Sequence, residues 1–585
     1  MIRDKYYQLL KSWCDELISL QIKDKDAPDY LKGAIICPAC KMIHGRIADS
    51  IYPLIYLYDR TKDPKYLQSA DLLFEWSRNM LADDGSYYND AQNDWNGITV
   101  FFVSMLARTL LFHSGVLPEE MRKRFEKRLM VNMEWVSENI NDDFETNINY
   151  HAATAEAMAL CWKYFKRDEY KQIAKRRMEF CMPYINQELF LTGESHPLHY
   201  ASPRGLKGVD IGYNLEESLP ALYESASVLK MKWIVDKVTE CAYVHRRFIL
   251  PDGGMDDSFG SRNYKWTYWG SRTSDGYLAM FERMGKKDET FLQYKYSVYD
   301  LLSMCSQGGL LYGGVDLKAH GEYPCIHHTF CKAKAVTALL DGEVTECEKR
   351  FEIAKMPIVY HYNCLLSDQI FYKGFYALVT SNDVFYLPGG HISGGMISFL
   401  WHEATGPLIA ASMMKYSLYE VTNTQLSLTK GDFKKQSFRY EIAAEDSCYS
   451  SDLDTSAKLF SYEDKDKISV IANGNFRDME GNILKGNSQY EFSYAFEEQS
   501  LFILCKAQEN GRLHLPLIAS HTERINDSEY VLNGKYGGLI KLRTNGAVCD
   551  VKRSFNFVCG FYAYDLEIEA PNNEIEVKLE IVKDV

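Results

Sequence analysis

The chain has 585 residues, 46% apolar and 25% charged, too long for one ordinary core and too apolar for a disordered polymer. A formal charge of −14 argues against nucleic acid, whose binding draws on Lys and Arg, but leaves room for a local basic pocket. The 15 cysteines, an odd number scattered along the chain, point to reduced thiols and a cytoplasmic setting, or a periplasmic one if a leader has been removed.

Residues 1–24 interleave Arg3, Asp4, Lys5, Lys11, Asp15, Glu16 and Lys23 with Leu9, Leu10, Trp13, Leu17 and Leu20. The apolar positions fall at helical spacing, so this segment reads as a helix of the mature fold and not as an export signal. Cys37, Cys40 and His44 follow, spaced like zinc ligands but only three in number. Cys325, Cys331 or His328 would complete a set if a ring brought the ends together; otherwise the two Cys are inert thiols and no cofactor is required. Helical stripes then recur: Ile47, Ile51, Leu54, Ile55 and Tyr58; Tyr66, Ala70, Leu73, Phe74 and Trp76 after the Asp63-Pro64 start. Ile98 to Phe112 is too short for a membrane span and carries Ser104 and Arg108, so no membrane partner is expected. Phe125 to Val136, Ala153 to Trp162 and Leu219 to Leu229 continue the pattern, which amounts to about twelve helices before residue 345.

Polar and aromatic clusters precede successive apolar helices. Their markers, His44, Trp95, His151, Tyr213, Trp269 and His327, recur at intervals of roughly 50 to 60 residues, the length of a helical hairpin with its connections. If alternate helices form an inner ring, all six clusters meet at one end of it. Past residue 355 the texture changes to short β-rich runs, among them Tyr376–Thr380, Met396–Trp401, Phe438–Ile442, Tyr490–Tyr494, Leu501–Cys505 and Ile575–Ile581, many separated by turns such as Asn473-Gly474 and Asn533-Gly534. The expectation is an N-terminal (α/α)6 toroid over residues 1–345 and a C-terminal antiparallel β-sandwich over 346–585.

The clusters suggest chemistry. Asn147, Asn149 and His151 open a helix, where amide and imidazole groups bind a carboxylate with help from the helix dipole; the bland alternative is a cap. Tyr213 is placed to act as base and acid, although with 41 Tyr in the chain a core role competes. Arg262, Asn263, Tyr264, Lys265, Trp266, Tyr268, Trp269 and Arg272 crowd into eleven residues, stacking rings beside cations as an acidic sugar requires. His327 is a second candidate base, Trp95 a stacking ring, and His391 a glycine-flanked histidine in the first sandwich strands.

With these residues the chain resembles polysaccharide lyases of the heparinase II/III and alginate-lyase type, and within them rhamnose–glucuronate lyases. That resemblance implies a toroid with a β-sandwich, Asn149 and His151 as neutralisers of a uronate carboxylate, Tyr213 as acid and base, and His391 as a histidine from the sandwich. Met396–Ala411, with Gly406-Pro407-Leu408, is similar to the early sandwich strands of that family. The adjacent Asn-His pair and the fuller His-x-His-x-Asp motif of those enzymes are absent here.

The expected activity is β-elimination at a 4-O-linked uronate of an acidic oligosaccharide. In it Asn149, His151 and Arg272 hold the carboxylate, Tyr213 or His327 takes the proton, and Tyr268 assists the leaving oxygen. A cytoplasmic address favours an exo mode on short substrates. The competing class is a toroidal glycoside hydrolase, for which Asp94, Asp210, Glu216, Glu217 and Asp257 supply carboxylates. A non-catalytic sugar-binding toroid is the third. The oligomeric state is left open.

Overall fold

The computed structural model describes residues 1–585 apart from 91–92, 196, 354–356, 386–391, 412–434, 445–446, 557 and 584–585. Up to Leu340 the long elements are helices in two alternating sets. Ile51–Thr61, Thr99–His113, Ile148–Phe165, Leu219–Leu229, Leu278–Gly285 and Ile326–Leu340 form an inner ring in which each packs on the next and the last packs back on the first. Pro64–Ser77, Glu119–Asn139, Asp168–Cys181, Lys232–His245, Thr290–Cys305 and the N-terminal Ile2–Leu20 pack around the outside. This is the (α/α)6 toroid.

Residue type decides which ring a helix joins. Ile148–Phe165 carries Ala152, Ala153, Ala155, Ala157 and Ala159, all buried, because an inner helix has neighbours on every side. Glu119–Asn139 buries Met121, Phe125, Leu129, Met133 and Val136 on one stripe and turns its charges to solvent, as an outer helix must. Thr99–Val116, apolar enough to cross a membrane by length and composition, is an inner helix here with 67% of the run buried inside the protein. Three outer helices lead into tight turns closed by bridges of identical span, Leu81 with Tyr87, Ile185 with Leu191 and Ile249 with Met255. The chain then returns through a loop to the next inner helix, so the loops and the inner N-termini share one end of the ring.

From Ile358 onward the described elements are antiparallel strands in three sheets. The first runs in chain order through Ile358–Tyr362, Ser367–Tyr372, Phe375–Thr380, Met396–His402 and Gly406–Ala410. Phe375–Thr380 is buried along its whole length. Its side chains alternate between two cores: Tyr376 and Leu378 join the toroid's, while Phe375, Ala377 and Val379 join the sandwich's. An eight-stranded and a second five-stranded sheet enclose the rest of the sandwich core, where Phe438, Phe492, Tyr494, Leu515 and Leu566 meet.

A buried carboxylate ties the halves together. Asp252, in a toroid turn, accepts hydrogen bonds from Tyr268 Oη (2.5 Å), Trp401 Nε1 (3.1 Å) and Tyr536 Oη (2.6 Å), the last two from the sandwich. Replacing Asp252 with Ala leaves these donors without their acceptor, at a cost of about 3–5 kcal/mol. Thermal unfolding of Asp252→Ala is expected to start well below the wild-type transition and to separate the two halves; an unchanged single transition would show that the node is dispensable.

Candidate active site

The inner-helix N-termini converge on a cavity of about 320 Å³. Trp95, Asn149, Tyr213, Lys265 and His327 line it, one from each of five of the six clusters, together with Arg46, Asn147, Tyr150, Glu217, Arg262, Tyr264 and Thr273. Three cations therefore face one carboxylate, Glu217, among the described lining residues.

Each group is held in place by its neighbours. Tyr213 ends a single helical turn, Ile211–Tyr213, whose start is capped by Asp210: the carboxylate accepts from Tyr213 N (2.8 Å) and from Arg262 N (2.8 Å). The chain then passes through a π-helical turn, Asn214–Ser218, a feature common at functional sites. The Tyr213 hydroxyl lies 2.7 Å from Thr273 Oγ1, and the Arg262 guanidinium stacks 3.8 Å above its ring. Lys265 Nζ stands 5.9 Å from the same ring. Asn149 opens the Ile148–Phe165 helix; its side-chain amide donates to Glu217 Oε1 (3.0 Å) and its backbone N–H to Glu194 Oε1 (3.2 Å). Trp95 Nε1 donates to Tyr150 Oη (2.7 Å).

Arg46 lies in the turn before the first inner helix. It bonds Asp49 (2.9 Å), Asp275 (3.1 Å) and the Thr273 carbonyl (2.8 Å), so the residue that fixes the Tyr213 hydroxyl is itself fixed by a cation. Burial, with His44, Arg46 and Lys265 nearby, holds the His327 imidazolium well below the ordinary histidine range, so this imidazole is neutral.

The carboxylates that a hydrolase needs are committed elsewhere. Glu216 pairs with Lys332 (2.7 Å) and accepts from Ser271 N (2.7 Å), with burial raising its pKa to about 7. Asp257 accepts from Ile211 N (2.8 Å), and burial beside Asp210 pushes its carboxyl well up. Glu194 is raised to about 8 by burial, although Arg262 lies 3.4 Å away. Folding therefore favours its protonated form, and that contribution is full below about pH 4.5 and lost as the pH rises to about 8. Glu194→Gln carries no such titration. Its stability relative to wild type is expected to climb by up to about 1.4 kcal/mol per pH unit across that window and to level off above it, read from urea midpoints. A flat difference would place the ionised Glu194 in the fold at neutral pH.

Four residues proposed from the sequence lie outside the cavity. His151 faces away from it: Nε2 donates to the Phe144 carbonyl (2.9 Å), Nδ1 accepts from Arg177 (3.0 Å), and burial lowers its pKa to about 4. It is a fastener between inner and outer helices and does not hold a carboxylate. Tyr268 and Trp269 form the tip of a hairpin in which Trp266 pairs with Ser271 and Thr267 with Gly270, and the tip is driven inward. Tyr268 meets Asp252, and Trp269 Nε1 donates to the Tyr312 carbonyl (2.8 Å). Arg272 is also buried; burial first, and then the Arg272 charge, lower the pKa of the His328 imidazolium to about 3. His391 lies outside the described residues. Arg46, Tyr150 and Thr273 are lining residues that sequence reading missed; the one signal for Arg46 was its place two residues past the end of the first cluster at His44.

Two family models divide the chain between them: an ulvan lyase N-terminal domain matches residues 10–357 and an ulvan lyase C-terminal domain matches 359–584. A broad-specificity ulvan lyase from Formosa agariphila is 30% identical, over 96% of this chain and 91% of that protein. Among solved structures, chondroitin AC lyase from Streptomyces coelicolor superposes with a TM-score of 0.53 at 9% identity, covering 99% of this chain and 79% of that one. Heparan sulfate lyase from Pedobacter heparinus gives a TM-score of 0.46 at 10% identity, over 99% and 83% of the two chains.

Proposed function

The chain belongs to the ulvan lyase family, and from that premise we propose that this polysaccharide lyase acts on ulvan, with Tyr213 as the group that exchanges protons with the substrate. The observation that carries the reading is the balance of the cavity wall: Arg46, Arg262 and Lys265 line it with a tyrosine, and the single carboxylate among the described lining residues, Glu217, is tied to Asn149. Such a wall suits an anionic sugar and has no pair of free carboxylates for hydrolysis.

The substrate carboxylate sits against the cations and Asn149. Drawing off its charge acidifies the C5 proton beside it. The Tyr213 oxygen removes that proton; its electron pair becomes the C4=C5 double bond as the C4–O bond breaks. The departing oxygen takes the proton that Tyr213 has accepted, which returns the Tyr213 oxygen to its starting state. Positive charge from Arg262 and Lys265 beside the phenol ring supports the oxygen while it carries negative charge.

The cavity is small, near the low end of the roughly 300–1,000 Å³ typical of ligand sites, which favours binding at a chain end and an exo mode. Incubation with ulvan, followed by size separation of the unsaturated products, tests both points. Short unsaturated products from the first time points, with the polymer peak barely shifted, support the reading. An early collapse of polymer size would make the enzyme endo-acting. No product from ulvan, with turnover of another uronate polymer, would move the substrate.

A further inference from the structure

The sharpest unassigned feature outside the cavity is a knot of sulfur and nitrogen where the toroid closes. Cys37, Cys40 and His44 belong to the segment before the first inner helix, and Cys325 caps the last one. The ring brings them together across 288 positions of chain: Cys37 Sγ and Cys325 Sγ are 3.9 Å apart. His44 Nε2 lies 3.2 Å from Cys40 Sγ and 3.8 Å from Cys325 Sγ. The donor atoms of Cys37, His44 and Cys325 all fall within 4.8 Å of one another. All four side chains are at least 97% buried.

We propose that Cys37, Cys40, His44 and Cys325 form a tetrahedral zinc site that latches the toroid shut. Zn–S bonds of about 2.3 Å and Zn–N bonds of about 2.0–2.1 Å in a tetrahedron require S···S near 3.8 Å and S···N near 3.5 Å. The Cys37 and Cys325 sulfurs at 3.9 Å match the first, the two His44 contacts at 3.2 and 3.8 Å straddle the second, and Cys40 joins through its contact with His44. The backbone has the matching form. Cys37 N donates to the Met42 carbonyl (2.8 Å) and Lys41 N to the Cys37 carbonyl (3.0 Å), with Lys41 at φ 60°, so the Cys-x2-Cys segment is a tight knuckle. Ile326 N–H points at Cys37 Sγ (3.5 Å), an outer contact suited to a metal thiolate. Cys331 Sγ faces the Thr273 carbonyl, and His328 is not among the donors that gather with Cys37, His44 and Cys325. Four protein ligands leave no open position, so the metal is structural and takes no part in the elimination.

The latch also borders the active cavity. His327 is two residues beyond Cys325, and its ring packs edge-on against His44, with centroids 4.5 Å apart. Closing the ring with a metal therefore fixes the wall that carries this imidazole, whatever sugar the cavity takes.

The test is elemental analysis of the whole chain, purified without a histidine tag and gel-filtered in a chelating buffer. One zinc per chain is expected, falling at least about fivefold in Cys325→Ser and in Cys40→Ser, with melting temperature lowered by about 5 °C or more in both. Cys448→Ser, an exposed thiol far from the knot, is the control and keeps its zinc. Refolding with cobalt in place of zinc is expected to give the intense visible bands of tetrahedral cobalt thiolate. Wild-type chain with less than about a tenth of a zinc and no cobalt bands overturns the site, as does zinc that persists in both Cys variants.

Discussion

Tyr213→Phe is expected to lose about three orders of magnitude in kcat while still binding substrate. The substitution removes one oxygen and leaves the ring under Arg262, so the cavity keeps its shape. What disappears is the atom proposed to accept the C5 proton, and positioned acid–base groups are worth roughly 10²–10⁴ in rate. Because Tyr213 N and Ile211 N remain held by Asp210 and Asp257, the helical turn survives and the melting temperature should move little. A variant with near wild-type kcat would transfer the proton chemistry to His327, whose neutral imidazole is the other base on the wall. The pair His327→Ala and Tyr213→Phe separates the two roles.

Asn149→Ala is the second large effect, about 10²–10³ in kcat with a smaller change in KM, as for loss of one preorganised donor to a developing oxyanion. As the C5 proton leaves, charge shifts onto the sugar carboxylate, and a donor fixed at a helix start gains strength at that moment. Asn149 is fixed twice, by Glu194 through its backbone and by Glu217 through its side chain. Deuterium at C5 supplies the diagnostic: the isotope effect on kcat should be larger in Asn149→Ala than in wild type, because proton removal has become slower relative to the other steps. An equal isotope effect with only KM raised would make Asn149 a binding residue.

The architecture was legible because it is periodic. Six polar clusters placed before six apolar helices can share a site in few other ways than a ring; which helices are inner came from the structure, where they bury every face, as in the alanine-rich Ile148–Phe165. The sandwich showed itself through strand runs and turn dipeptides; the fully buried Phe375–Thr380 is a strand wedged between two cores. What a single sequence could not show is which way a side chain in a cluster points. His151 is two positions after Asn149, about half a helical turn away, and that rotation carries it from the cavity to the outer ring. The aromatic hairpin is the sharper lesson. Tyr268 and Trp269 occupy a two-residue tip, usually the most exposed part of a hairpin, and here it is the anchor between toroid and sandwich. Arg46 was hidden for the opposite reason: one arginine beside His44 carries no motif, and only ring closure brings Asp275 and Thr273 to it.

In the proposed reaction this cavity breaks a glycosidic bond by elimination at a uronate through Tyr213. The most direct measurement is mass spectrometry of products formed from ulvan in water enriched in heavy oxygen, with wild type and Tyr213→Phe side by side. The account predicts a 4,5-unsaturated uronate at the new non-reducing end, no heavy oxygen incorporated by cleavage, and nearly no product from the variant. Saturated products carrying one heavy oxygen per cut, or full activity in the variant, would contradict it.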